Sequence, residues 1–120
     1  MQVLSSETDG VVVGQIEAKA LDASNARAFK DAIKPLLTQG AKLVIDMSKV
    51  EFIDSSGLGA LVSCLRQAHT TSGEIKLFGL RKQARALFEL VRMHRVFEVF
   101  NSSDEAILSY GVEGKVSQPG

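Results

Sequence analysis

Apolar positions along the chain follow two periods, and the changes between them mark its elements. Residues 2–8 and 11–16 are short β-prone runs on either side of Asp9-Gly10. Asp-Gly between such runs predicts a hairpin, because a type I′ turn needs positive φ, which glycine adopts without steric cost. From about residue 24 the period lengthens. Ala26, Phe29, Ile33, Leu36 and Leu37 recur three and four apart, one stripe of an amphipathic helix. Asp22 or Ser24 is placed to cap its start and Gly40 to end it, with Pro35 expected to kink the last turn. Lys42–Met47 is a continuous apolar run of the kind that forms a strand covered on both faces. Val50–Ile53 prolongs the approach to a turn, Asp54-Ser55-Ser56-Gly57.

A second helix carries Leu58, Leu61, Val62 and Leu65 on one face and runs to about Thr71, with Gly73 stopping it. Glu74–Phe78 reads as a strand, Ala84, Leu87, Phe88 and Val91 as a third helical stripe, and Val96–Phe100 as a last strand. Ser102 and Glu105 form a capping box that opens a short final helix through Leu108 and Tyr110. Residues 111–120 are polar, Gly-rich and without period, which predicts a frayed tail. The order ββαβαβαβα predicts one α/β domain over residues 1–110. Its mixed β-sheet would begin with an N-terminal hairpin and continue in parallel βαβ units with about four helices.

Composition narrows the function classes. At 120 residues and 45% hydrophobic content the chain is one ordinary globular domain. Lys plus Arg equals Asp plus Glu at 14 each, so the basic excess of an extended nucleic-acid footprint is missing. Cys64 is the only cysteine, which leaves no intramolecular disulfide and no cysteine-based zinc cluster. No run approaches the roughly 18 apolar residues of a membrane span. The start, Met-Gln-Val-Leu-Ser-Ser-Glu, lacks the basic and apolar regions of a signal peptide. The expectation is a cytoplasmic protein without membrane insertion.

Candidate chemistry converges on the turn before the second helix. Ser55 lies at a helix N-terminus, where unpaired N–H groups and the helix dipole favour negative charge. It reads as an N-cap or as a phosphorylation site, and the residues alone leave both open. Enzyme readings lack a constellation, so no catalytic, metal or cofactor residue is assigned. Ser55 has no Gly-x-Ser-x-Gly frame, Gly57-Leu58-Gly59 lacks the third glycine of a dinucleotide fingerprint, and there is no Gly-Lys-Ser/Thr phosphate loop. His69 and His94 have no partner at metal spacing. Cys64 falls beside the apolar stripe and reads as a small flank residue. Arg81, Lys82, Arg85, Arg92 and Arg95 make the third helix and its exit basic, which reads first as a solvated face. Asp22, Asp46, Glu51 and Asp54 near strand ends suggest a magnesium-dependent phosphoaspartate receiver. That reading fails because Gln15-Ile16-Glu17-Ala18 supplies one acid after the first parallel strand where a pair is needed, and the late lysine position holds Asn101-Ser102-Ser103.

Asp54-Ser55-Ser56-Gly57-Leu58-Gly59 after an apolar strand, with Leu21-Asp22 before the first helix, resembles the STAS domain of anti-sigma factor antagonists. The likeness covers residues 3 to 110. It includes Val44-Ile45-Asp46-Met47-Ser48, Lys76-Leu77-Phe78-Gly79 and Phe97-Glu98-Val99-Phe100 with Glu105-Ala106. The resemblance implies a protein that binds an anti-sigma factor which is also a serine kinase, thereby freeing a sigma factor. It implies phosphorylation of Ser55 by that kinase and dephosphorylation by a metal-dependent serine phosphatase. The partner-binding residues it implies are Asp22, Asp54, Ser55, Ser56, Gly57, Leu58 and Gly59. Gly57 and Gly59 are expected to keep the turn low for a kinase, and Asp22 and Asp54 to flank the serine. The chain departs from the family at Lys19-Ala20, where a Gly often precedes Leu-Asp, and around Arg92, where a Gly is common. The alternative within the same fold is a non-switching STAS accessory subunit of a membrane transporter or another signalling complex.

Overall fold

The structure is a computed structural model that describes residues 1–111, so all but the first residue of the expected tail lies outside the described residues. Its elements are β1 (Val3–Thr8), β2 (Val11–Ile16), β3 (Ala20–Leu21), α1 (Ala26–Ile33), β4 (Lys42–Asp46), β5 (Phe52–Ile53), α2 (Ser55–Thr70), β6 (Glu74–Phe78), α3 (Lys82–Leu90), β7 (Val99–Phe100) and α4 (Ser103–Leu108). The main sheet has the order β1-β2-β4-β6-β7, antiparallel between β1 and β2 and parallel thereafter. This is the expected mixed sheet. Asp9 and Gly10 both take positive φ, 53° and 80°, as a type I′ turn requires.

Alternation along β4 explains the layering. Leu43 and Ile45 point into the main core with Phe29 and Ile33 of α1, Leu61 and Leu65 of α2, and Phe88 of α3. Val44 points to the opposite face, where it packs with Val11, Ala106 and Ile107 under α4. Each Val, Leu, Ile or Phe side chain so buried contributes about 1.5–3 kcal/mol.

On the α4 face β6 carries Lys76, which is 7% exposed. Its Nζ donates to the Ser109 carbonyl at 3.1 Å and hydroxyl at 2.8 Å, pairs with Glu98 at 3.0 Å, and lies 4.3 Å from the Tyr110 ring centroid. A buried ammonium is tolerated because these groups replace its water. The Tyr110 hydroxyl in turn donates to the Leu43 carbonyl at 2.7 Å, fastening residue 110 across the sheet. Burial pushes the Tyr110 hydroxyl pKa up.

Several local expectations change. Neither Asp22 nor Ser24 occupies the cap of α1, which falls to Asn25. Pro35 does not kink an α-helix. The helix ends at Ile33 and Lys34–Leu36 continues as a 3-10 turn, because proline has no N–H to offer residue 31 and its ring crowds that carbonyl. After α2 the left-handed residue is Ser72 (φ 59°) rather than Gly73. The last strand is shorter than 96–100, since Met93–Arg95 forms a second 3-10 turn whose Met93 carbonyl accepts from Val96 and Phe97. Val91 follows α3 instead of belonging to it and is 44% exposed. A two-stranded parallel sheet, β3 with β5, had no counterpart in the periodicity.

Cys64 is in the core, not at its flank, at 2% exposed. Burial pushes its thiol up to about 11 from an ordinary 9.0. The folded state therefore holds this proton more tightly than the unfolded chain does. The resulting stability is complete below about pH 9 and is lost as pH rises toward 11, on the order of 2–3 kcal/mol. Urea titrations of wild type and Cys64→Ala across that range should show a steeper alkaline loss in wild type. Equal slopes would contradict the assignment.

Arg92, at the residue after the α3 cap, has φ 58° and ψ 34°. A side chain there is strained by about 1 kcal/mol, and the Arg92 side chain is exposed. Arg92→Gly is expected to stabilise the fold by about 0.5–1 kcal/mol in a urea melt. A loss of stability would show that the arginine makes a compensating contact.

Candidate functional site

Two loops that are some thirty residues apart in sequence are joined at the start of α2. Parallel pairing of β3 with β5 sets Ala20 opposite Phe52 and Leu21 opposite Ile53. The next residue, Asp54, then serves both loops. Its N–H donates to the Leu21 carbonyl at 3.3 Å, and its Oδ2 accepts from the Ala23 N–H at 3.4 Å. Its Oδ1 accepts from the Gly57 N–H at 2.9 Å, and its carbonyl accepts from Leu58 at 2.9 Å. Asp54 is thus the N-cap of α2. Ser55 is the first helical residue, not the cap, so its hydroxyl is left outside the capping arrangement.

The loop opposite is held by its own side chains. Asn25 donates to the Ala20 carbonyl at 2.8 Å and accepts from the Asp22 N–H at 2.9 Å. Asp22 Oδ1 accepts from the Ser24 hydroxyl at 2.6 Å and N–H at 2.9 Å. Those donors, the hydroxyl first, hold the Asp22 carboxyl below its usual range. Asp22 is an anion at neutral pH and orders this loop in that form.

Of the residues singled out in the sequence, Ser55, Ser56 and Gly59 are exposed, Asp22 and Asp54 are half-buried, and Gly57 and Leu58 are buried. Gly57 is not a low point for an approaching partner. It is where α2 presses on β3: a Cβ built there would lie 2.8 Å from Ile53 Cγ1, 2.9 Å from the Leu21 carbonyl carbon and against the Leu21 oxygen. Nothing lies within 4 Å of the corresponding position at Gly59. Leu58, 7% exposed, belongs to the main core.

One residue of this site was not anticipated. Gln83, in the first turn of α3, accepts from the Ile53 N–H through Oε1 at 2.8 Å and donates to the Ile53 carbonyl through Nε2 at 2.9 Å. Ile53 is fully buried, so either backbone group left without a partner would cost about 1–3 kcal/mol. A glutamine at a helix start carries no sequence signal for such pairing.

The remaining candidates disperse. Asp46 accepts from Gln15 Nε2 and the Ser48 N–H, both at 2.8 Å, and so shapes the exit of β4. Glu51 lies 3.8 Å from Arg81. His69 meets Glu74 at 2.8 Å on the surface. Among the described residues no three His, Cys, Asp or Glu gather where they could hold a metal ion. The five basic residues are exposed but strung out: Arg81 precedes α3, Lys82 and Arg85 lie in its first half, and Arg92 and Arg95 follow its far end, the helix itself being about 14 Å long. No helix among the described residues is long and apolar enough to cross a membrane.

Fold and turn together define a small α/β domain with an exposed serine pair at the start of its main helix. A model of the STAS domain matches residues 3–106, and the chain belongs to the STAS domain family. The anti-sigma-B factor antagonist of Listeria monocytogenes is 28% identical over 106 residues, 88% of this chain and 91% of that protein. The crystal structure of an anti-sigma factor antagonist from Mycobacterium paratuberculosis is similar at a TM-score of 0.79 and 26% identity, covering 90% of this chain and 92% of that one. The Bacillus cell fate determinant SpoIIAA, in its phosphorylated form, shares the fold at a TM-score of 0.64 and 20% identity, over 91% of this chain and 99% of that one.

Proposed function

We propose that this chain is an anti-sigma factor antagonist controlled by phosphorylation of Ser55. The unphosphorylated form binds an anti-sigma factor that is also a serine kinase and so releases a sigma factor. The kinase phosphorylates Ser55, the complex separates, and a metal-dependent serine phosphatase restores the binding form. The observation that carries this reading is that Asp54, and not Ser55, caps α2, while Ser55 is exposed one residue further on. The serine hydroxyl is therefore free to be modified without dismantling the helix start.

Physical chemistry supports the same cycle. A phosphate adds about −1.5 to −2 charge. At the first residue of a sixteen-residue helix, free N–H groups and the helix dipole favour that charge, so the fold tolerates it. A partner surface packed against Ser55 does not, because it must desolvate the phosphate and make room for it. The phosphorylated form of SpoIIAA supports the view that this fold is compatible with such a state. The similarity to anti-sigma factor antagonists supports an anti-sigma factor as the partner.

Incubating wild type and Ser55→Ala with the anti-sigma factor kinase and ATP tests the proposal. A gain of one phosphate by wild type alone, with loss of its complex, is expected. Phosphate on a different residue, or a complex that survives phosphorylation, would overturn it.

A further inference from the structure

We propose that Gln83 is a positioning residue for the serine turn, an inference that rests on Ser55 being the phosphoacceptor. Backbone alternation along β5 supplies the reason. The N–H groups of Phe52 and Asp54 point to β3, where they donate to the Lys19 carbonyl at 3.2 Å and the Leu21 carbonyl at 3.3 Å. The N–H and carbonyl of Ile53 therefore point the other way, to an edge that carries no strand among the described residues. Gln83 fills that edge with one side-chain amide, whose donor and acceptor match a peptide group.

The consequence reaches Ser55 through a short rigid path. Ile53 is clamped between Leu21 and Gln83, Asp54 follows it directly, and Asp54 fixes the first turn of α2. The direction in which Ser55 leaves the strand is thus set from α3 as well as from β3. A kinase needs the attacking hydroxyl aligned with the phosphoryl group, and misplacement by about 1 Å lowers rates up to roughly a hundredfold. Gln83 does not touch the transferred group. It acts by holding the segment that carries it.

Gln83→Met removes both hydrogen bonds at nearly constant volume, and the full chain is the right object to test. Hydrogen exchange should show protection of the Ile53, Asp54 and Gly57 amides, which donate to Gln83, Leu21 and Asp54, falling about tenfold or more, with β4 unchanged. Phosphorylation of Ser55 by the anti-sigma factor kinase, measured well below the melting temperature, should lose roughly tenfold in kcat/KM. Gln83→Glu sets a carboxylate oxygen against the buried Ile53 carbonyl where the amide donated, so its kcat/KM should be no higher than that of Gln83→Met. Uniform loss of protection, or unchanged kcat/KM in Gln83→Met when wild type is phosphorylated, would overturn the positioning role alone. Wild type that takes up no phosphate would instead overturn the phosphoacceptor reading, and this inference with it.

Discussion

Gly57→Ala is expected to destabilise the domain by about 2–3 kcal/mol, although alanine is the better helix former. Helix propensity alone favours the substitution by about 1 kcal/mol. Packing outweighs it, because the new Cβ would meet the Leu21 backbone and Ile53 Cγ1 at distances real contacts do not show. Relief by a backbone shift is blocked. Leu21 is paired with Ile53, and its carbonyl already accepts from Asp54. Gly59→Ala in the same helix has open space at its Cβ and should gain up to about 1 kcal/mol. Urea melts of the two variants should move in opposite directions. Both moving toward greater stability would show that α2 and β3 are less closely apposed than described.

Ser55→Asp carries the largest functional effect under the proposed switch. Its affinity for the anti-sigma factor kinase should drop by about thirtyfold or more, the equivalent of 2 kcal/mol for a charge left unpaired in a buried interface. Stability should stay level or rise by about 0.3–1 kcal/mol, since an acidic residue in the first turn of a helix interacts favourably with its dipole. Ser55→Ala should keep both affinity and stability, the latter within about 0.5 kcal/mol, because Asp54 performs the capping. Calorimetry of binding together with thermal melts separates the two quantities. Aspartate binding as tightly as serine would remove the electrostatic basis of the switch.

The elements were legible where a period runs long enough to be counted. The hairpin announced itself through Asp9-Gly10, and α2 through Leu58, Leu61 and Leu65. The capping residue was not legible, because Asp54, Ser55 and Ser56 are all good caps and only the backbone geometry selects among them. The inward direction of Leu58 was already implied by its own stripe. The motif nevertheless drew attention to it as surface. The β3–β5 pair could not be read, since two residues per strand carry no period and their register comes from tertiary pairing. Gln83 escaped for a related reason. Its role depends on an unpaired strand edge that exists only once the chain is folded.

The clasp formed by Lys76, Ser109 and Tyr110 also bears on how the domain is made. Tyr110 reaches a carbonyl 67 positions earlier, and Ala106 and Ile107 cover Val11 and Val44 from across the sheet. During synthesis that face of the sheet stays wet until the last turn of α4 has left the ribosome. Such long-range closure slows folding, and a nascent chain stalled before Ser103 would display an uncovered apolar sheet face to chaperones. Residues 103–110 therefore decide when that face of the sheet stops being a sticky surface.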